Sequence, residues 1–488
     1  MTTAGTRVTA SLAAWVATVT LEDVPALVRE RARHLLLDGV GCALLGAGLA
    51  WSRSATDAVC SLEGSRPVPR LGRERGADGL AVLVGTGRVT SPSAAALLNS
   101  SYVQGFELDD YHPVAPVHSV ALVLPAMLAA LPGAPRRTGN DLLLGAIRGF
   151  EVGPRVGLAL NGAEMLTRGW HSGPVFGGPA AAAAAGTLFG LDADGFEDAF
   201  GIAATQAGGL MAAQFGAMVK RMQHGFAARN GLLAAALAAG GYTGIKGVFE
   251  MPYGGFLATF GEGHDPRPEE ITAELGERWE TMRIAVKPYA AMAGLHAAID
   301  AARAMRAEAP VDPAAIEAIE IFMSEPAFNH GGWRAERPLS AVGAQMNVAY
   351  AVAVTLLDGT ALAAQFAAER IDADDVWELI ALTTVRHEPA FDQRLEDGYN
   401  TRLRVTLADG SVREAFVEHP RGGILQPLRN DEVVEKFRAL TSEIVAEEHA
   451  RRIEHMVLHL DELDDARELA ALLAIPIAVL AESRGAKP

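Results

Sequence analysis

Two long stretches of this chain, His171–Leu191 and Ala199–Val219, contain no Asp, Glu, Lys or Arg. Both are dominated by Ala and Gly, and Ala180–Ala185 is an unbroken alanine run. Segments of this kind must leave water, either by crossing a membrane or by packing inside a protein. A membrane span would be rich in Leu, Ile and Phe, and the second stretch carries Gln206 and Gln214. The composition therefore predicts tightly packed buried helices, whose small side chains let helix axes approach closely. No transmembrane segment is expected, and the fold class that follows is mainly α.

The rest of the first half agrees. Asp23 followed by Pro25 marks a helix start, after which Val28, Ala32, Leu35 and Leu36 share one face. Further helices are predicted at Pro92–Gly105, Pro116–Leu131, Thr138–Leu160, Pro179–Leu188 and Gly225–Gly240. The character changes near Trp279. Met282–Val286 reads as a strand, Gly294–Glu308 as a helix, Ile316–Met323 as a strand and Gln345–Leu357 as a helix. Thr401–Leu407 and Val412–Val417 alternate apolar and polar residues around Asp409-Gly410, a hairpin signal because Asp-Gly tolerates the positive φ of tight turns. Beyond Pro427, Asn430 is placed to cap a helix carrying Val433, Phe437, Leu440 and Ile444, and Leu458–Leu473 reads as another. The 488 residues exceed what one core usually serves. The expected division is a large all-α domain made of residues 1–278 and 427–488, and a smaller α+β lid over residues 279–426.

A formal net charge of −17 argues against sequence-independent binding of nucleic acid or of an anionic membrane surface. A local pocket can still be positive and take a small anion. The two cysteines, Cys42 and Cys60, form no disulfide framework and no zinc motif, which suits a reducing cytoplasm. Met1–Ala10 lacks the apolar segment of a secretory leader.

Polar clusters occur in five places. Glu107, Asp109, Asp110, His112 and His118 fall within a dozen residues beside Pro113. This reads either as an acid/base cluster or as solvated acids at a helix end, and spacing alone does not choose. A magnesium-binding acidic motif of a prenyl-transfer enzyme is a third reading, but no second such motif appears. Arg168-Gly169-Trp170-His171 precedes an alanine-rich helix, where free backbone N–H groups can meet an anion, although a loop histidine in a packing turn is the blander reading. Lys220-Arg221-Met222-Gln223-His224 closes the second uncharged stretch; its cations either reach the surface or meet a carboxylate. Lys287-Pro288-Tyr289 with His296, and Gln345 to Tyr350, each read on their own as structural segments. Gly39-Val40-Gly41 lies inside an amphipathic helical pattern and is a helix-packing feature. There is no P-loop, no G-x-S-x-G elbow, no H-E-x-x-H and no paired C-x-x-C. An enzyme here would work with side chains alone, with no cofactor and no metal.

Taken in order, these segments resemble the MmgE/PrpD family, which includes 2-methylcitrate dehydratases, cis-aconitate decarboxylases and an iminodisuccinate epimerase. The family opening resembles Leu35 to Cys42. Its Asp-Asp-Thr-His … Val-His-Pro-Gly-Ser block resembles Asp109 to Ser119, and its Gly-Phe-His block resembles Gly169-Trp170-His171. Lys-Arg-Leu-His-x-Gly resembles Lys220 to Gly225, Lys-Pro-Tyr … His matches Lys287 to His296, and the late Tyr-x-Val-Ala-x-x-Leu-Leu-Asp-Gly resembles Tyr350 to Gly359. The resemblance implies a helical domain built from both chain ends, an α+β lid and a homodimer. It implies catalytic roles for His118, His171, Asp110, Asp109 and Tyr350, and substrate contacts from Lys220, Lys287, Arg168, Arg221, Tyr111 and Glu107. Four departures stand out: Tyr111 replaces Thr, Ser119-Val120 replaces Pro-Gly or Pro-Ser, Gln223-His224 displaces a histidine by one position, and Met292 stands where some decarboxylases have His.

The implied activity is a cofactor-independent lyase on a small polycarboxylic acid, with cations on a carboxylate stabilising the charge formed by proton removal beside it. Dehydration of the 2-methylcitrate or citrate type leads. A cis-aconitate decarboxylase-like or epimerase-like reaction is the alternative, and a catalytically silent binding or assembly protein is the alternative of another class.

Overall fold

The computed structural model describes residues 7–68, 79–308, 312–392 and 399–478; of the opening Met1–Ala10 segment, residues 1–6 lie outside these. The chain is mainly α, with small sheets. Its first half is built around Gly178–Phe189, which packs against Ser119–Ala130, Gly139–Ala159, Ala193–Ala204 and Gln223–Ala239. Ala180 to Ala185 are fully buried on every side, as the uncharged run requires. The approach is close because one partner is a glycine: a Cβ on Gly231 would sit 2.4 Å from the Gly178 carbonyl oxygen. Gly39 works the same way inside Ala26–Ala47, where a Cβ would lie 2.1 Å from Val120 Cγ1. Among the described residues no single helix is long and apolar enough to cross a membrane; the bent pair Ala26–Ala47 and Ala50–Glu63 passes only on length and composition.

The second uncharged stretch departs from expectation. Only its start lies in a helix, Ala193–Ala204. After Gly208-Gly209 the chain runs through two short 3-10 turns, Met211–Phe215 and Met218–Met222, and leaves Leu210, Phe215, Met218 and Val219 exposed. Two adjacent glycines do not sustain a helix.

Four strands form one sheet in the order Thr383–His387, Ile316–Met323, Thr401–Leu407, Val412–Val417, with the first pair parallel and the others antiparallel. The hairpin turns where expected, with Gly410 at φ +77° and the Ser411 N–H donating to Asp409. His296–Glu308 covers the sheet and packs on Val348–Asp358. The predicted helix Gln345–Leu357 is two pieces, Ala341–Gln345 and Val348–Asp358, because Asn347 turns out of the helix and its side chain caps the second. Met282–Val286 is a 3-10 turn, Glu280–Arg283, followed by the short strand Ala285–Val286. That strand pairs with Asp110–Tyr111 and so ties the acidic loop to the Lys287 segment.

Asn430–Thr441 returns to pack on Ala26–Ala47. Asn430 does not cap it; its amide donates to Glu30, and Arg429 occupies the cap position, with its N–H donating to the Glu432 carboxylate. The predicted helix Leu458–Leu473 is interrupted. Glu447–Leu458, a 3-10 turn at Leu460–Glu462 and Arg467–Leu473 take its place, because Leu460 abuts Gly139 and the Ala466 N–H turns to the Arg137 carbonyl.

Candidate active site

The acidic loop follows Pro92–Val103 and is tied down at several points. Glu107 sits at φ +56°, a left-handed conformation that costs a non-glycine residue roughly 1–2 kcal/mol. Lys436, from the returning C-terminal helix, donates to the next carbonyl, Leu108, and its ammonium lies 2.6 Å from the buried Asp38. The Asp110 carboxylate accepts from the Val120 N–H at 3.1 Å, at the start of Ser119–Ala130. Burial, with Asp109 and Asp38 nearby, pushes Asp110 well above the usual carboxylate range. His112 accepts from the Ala115 N–H at Nδ1 and therefore donates from Nε2 to Glu280, at 3.1 Å. These contacts hold the loop in shape.

Glu107 then gathers three cations. Lys220 and Arg221 both donate to Oε1, and Lys287 donates to Oε2 at 2.9 Å. Arg221 also donates to Gln345, whose own amide donates to the Phe106 carbonyl. Lys287 reaches Asp109 at 3.5 Å as well. All these side chains are buried. Burial alone would raise Glu107, but Lys220, Lys287 and Arg221 outweigh it and hold the carboxyl well below its usual range. The two lysines separate. Burial brings Lys220 down to about 8, since it shares one carboxylate oxygen with Arg221. Burial also opposes the Lys287 charge, but Glu107 and Asp109 together raise it above its ordinary value. Three cations face two carboxylates, so the cluster has one positive charge in excess, inside a protein that is negative overall.

Three imidazoles lie beside this cluster. His118 presents Nδ1 to Asp109 at 2.9 Å. His171 presents Nδ1 to Gln223 Oε1 at 3.0 Å, and burial with the Lys220 charge lowers it to about 3. His224 packs between them, its ring centre 4.8 Å from that of His118 and 5.0 Å from that of His171, and among the described residues neither of its nitrogens has a hydrogen-bond partner. Burial holds His224 well below its usual value.

One cavity opens on these groups. Its polar lining includes Glu107, Tyr111, His112, His118, His171, Lys220 and Lys287; its apolar lining includes Leu166, Met211, Met292, Ala327 and Met346. Asp109, Asp110 and Arg221 stand behind the wall and brace residues that reach it. Two expected site residues are not brought in. Arg168 is half-exposed, pairs with Glu164 one helical turn away and donates to the Gly263 carbonyl. Tyr350 is buried against Phe366, its hydroxyl donating to the Gln365 carbonyl, so it braces its helix. Gln223, His224, Gln345 and the Asp38–Lys436 pair were missed. Gln223-His224 was visible in the sequence as a departure from the family pattern and Gln345 opened a polar segment read as structural; the Asp38–Lys436 pair carries no local signal. Among the described residues, no group of three or more His, Cys, Asp or Glu is arranged to hold a metal ion.

Comparison with known proteins fixes the class. The MmgE/PrpD N-terminal domain matches residues 10–269 and the MmgE/PrpD C-terminal domain matches residues 289–462. This chain belongs to the MmgE/PrpD family. Within it, the chain is 45% identical to the cis-aconitate decarboxylase-like protein oryM of Aspergillus oryzae, over 96% of this chain and 97% of that one. It is 41% identical to a cis-aconitate decarboxylase of Aspergillus terreus, over 96% of each. The cis-aconitate decarboxylase of Mus musculus is 27% identical over 92% of this chain and 89% of its own length.

Proposed function

We propose that this protein is a carboxy-lyase that converts cis-aconitate to itaconate. The observation that carries the reading is that Lys220 and Lys287, gathered with Arg221 on Glu107, open beside His118 and His171 into one cavity, in a chain similar to cis-aconitate decarboxylases over 96% of its length. Carboxylates of the substrate bind at Lys220 and Lys287, where burial strengthens each charge-assisted contact. One carboxylate leaves as carbon dioxide; its bonding pair shifts into a new double bond, the old double bond opens, and the carbon at its far end takes a proton. The reaction therefore consumes one proton and needs an acid. His118 is suited to that role, because the Asp109 carboxylate behind it offsets the positive charge of an imidazolium. Asp110 shapes the loop, and Tyr111 limits the cavity.

Dehydration of citrate or 2-methylcitrate is the second reading, favoured by a neutral imidazole at His171 that can act as a base. Incubating the purified protein with cis-aconitate, citrate, 2-methylcitrate and iminodisuccinate, with products read by NMR, separates these. Itaconate with one equivalent of carbon dioxide supports the first reading. An alkene formed from a hydroxy acid without loss of carbon dioxide replaces it with the second, and inertness toward every acid supports a binding or assembly role.

The residue ranges 1–278 and 427–488 as a helical domain, with 279–426 as its lid, belong to the same proposal, as does a cytoplasmic setting. A homodimer is proposed too, supported by the apolar side chains of Phe226 and Leu233 exposed one above the other on Gln223–Ala239.

A further inference from the structure

Gln223 is held at both ends of its amide by a single residue. The Leu210 N–H donates to Oε1 at 2.9 Å, and the Leu210 carbonyl accepts from Nε2 at 3.0 Å. Rotating the amide by half a turn would set carbonyl against carbonyl and N–H against N–H, so its orientation is fixed by the backbone it meets. The same Oε1 faces His171 Nδ1 at 3.0 Å. A carbonyl oxygen only accepts, so Nδ1 must carry the hydrogen. A neutral imidazole has one N–H, which leaves Nε2 with its lone pair. His171 lines the cavity and sits at the start of Ser172–Phe176, with its own N–H donating to the Gly209 carbonyl, so the ring is anchored from the same strip of chain that holds Gln223.

We propose that Gln223 is a positioning residue that fixes His171 as the Nδ1–H tautomer, making Nε2 a standing acceptor toward the bound acid and barring it from delivering a proton there. The neighbouring histidine is the contrast. His118 meets a carboxylate at Nδ1, and His171 meets a neutral amide. A carboxylate supports an imidazolium far more strongly than a neutral amide does, so the pair divides into a proton carrier and a proton acceptor. The ionisable groups around His171 act in the same direction. Lys220 and His118 disfavour a positive charge there, and the Gln223 hydrogen bond and Glu107, the latter already occupied by three cations, oppose them less strongly. The tautomer follows from geometry alone; its part in turnover rests on the function proposed above. An acceptor at this point selects for a bound species that offers a hydrogen, such as a protonated carboxyl, a hydroxyl or a held water.

The test is NMR of the full-length protein labelled with 15N at histidine, with His171 assigned by its loss in His171→Asn. The expected spectrum shows hydrogen on Nδ1, an unprotonated Nε2 and no titration between pH 5 and pH 9 (a range chosen as about 1.5 to 2.5 units either side of free imidazole). In Gln223→Glu, a carboxylate replaces the amide, and His171 should move upward by about two to three pH units and begin to titrate at the acid end of that range, with a matching new limb in the pH profile of kcat. A wild-type His171 with hydrogen on Nε2, or one that titrates in that range, overturns the proposal. So does a folded Gln223→Glu protein whose His171 signals and pH profile are unchanged. If that variant does not fold, the wild-type spectrum alone decides. The expected tautomer in a protein that makes no itaconate would leave this assignment standing and remove the functional reading.

Discussion

The two uncharged stretches have nearly the same composition and opposite fates. Residues 171–191 become the buried centre of the helical packing, with Ala180 to Ala185 sealed on all sides. Residues 205–219 run as turns along the cavity, with Leu210, Phe215, Met218 and Val219 exposed and Met211 on the cavity wall. Composition says that a segment should leave water, but only available partner surfaces decide whether it does. Where helices surround the segment, alanine packs. Where glycines break the helix and two cations end the run, the chain lies across the site and delivers Lys220 and Arg221 to a buried carboxylate instead.

If that carboxylate is what holds the second stretch in place, its removal should do the most damage. Glu107→Gln leaves three buried cations without their shared counter-charge, and the expected loss of stability is about 3–5 kcal/mol, with loss of activity; denaturant melts and turnover measure it. Lys220→Ala, which leaves Lys287 and Arg221 on Glu107, should keep the fold and lower kcat/KM by roughly 10²–10³. The pH dependence sharpens this. Lys220 loses its charge as pH rises through about 8, so KM should climb above that pH, and Lys220→Arg should move the limb upward. The sign for stability is opposite. Between about 8 and the ordinary lysine value near 10.4 the unfolded chain binds the extra proton, so this group makes the folded state relatively more stable as pH rises through that window.

The first stretch breaks differently. Gly231→Ala puts a methyl group against the Gly178 carbonyl and the Ala181 side chain, and overpacking should cost about 1–3 kcal/mol with little change in KM. The exposed part of the second stretch should respond least. Met218→Ser with Val219→Ser should change monomer stability by no more than about 0.5 kcal/mol for each. A fall in association measured by sedimentation would instead show that a second copy covers them.

Much of the fold was legible because it rests on local pattern. The 3.6-residue periodicity located the helices of the first half, and Asp409-Gly410 located the hairpin to the residue. The failures share a cause, in that distant parts of the chain override local preference. Leu458–Leu473 breaks where it meets Gly139 and Arg137, and Asn430 gives up capping to bond Glu30. The site divides in the same way. Lys220, Lys287, His118 and His171 fell in polar clusters beside apolar runs or turns, the family resemblance assigned them to one site, and the cavity joins them. Tyr350 came in by motif position and Arg168 as a supporting cation beside a motif, yet Arg168 pairs with its own helix and Tyr350 with a neighbouring carbonyl. Nothing local in the sequence marks Lys436, whose role depends on the return of the C-terminal helix to Leu108 and Asp38.

The central claim is that the cations gathered on Glu107 form a buried seat for a small polycarboxylate. A crystal structure with tricarballylate, the saturated and unreactive analogue of cis-aconitate, tests it most directly. The expected density places carboxylates on Lys220 and Lys287, with the rings of His118 and His171 facing the bound acid. Tricarballylate seated elsewhere, or a cavity that stays free of it at saturating concentration, would contradict the account.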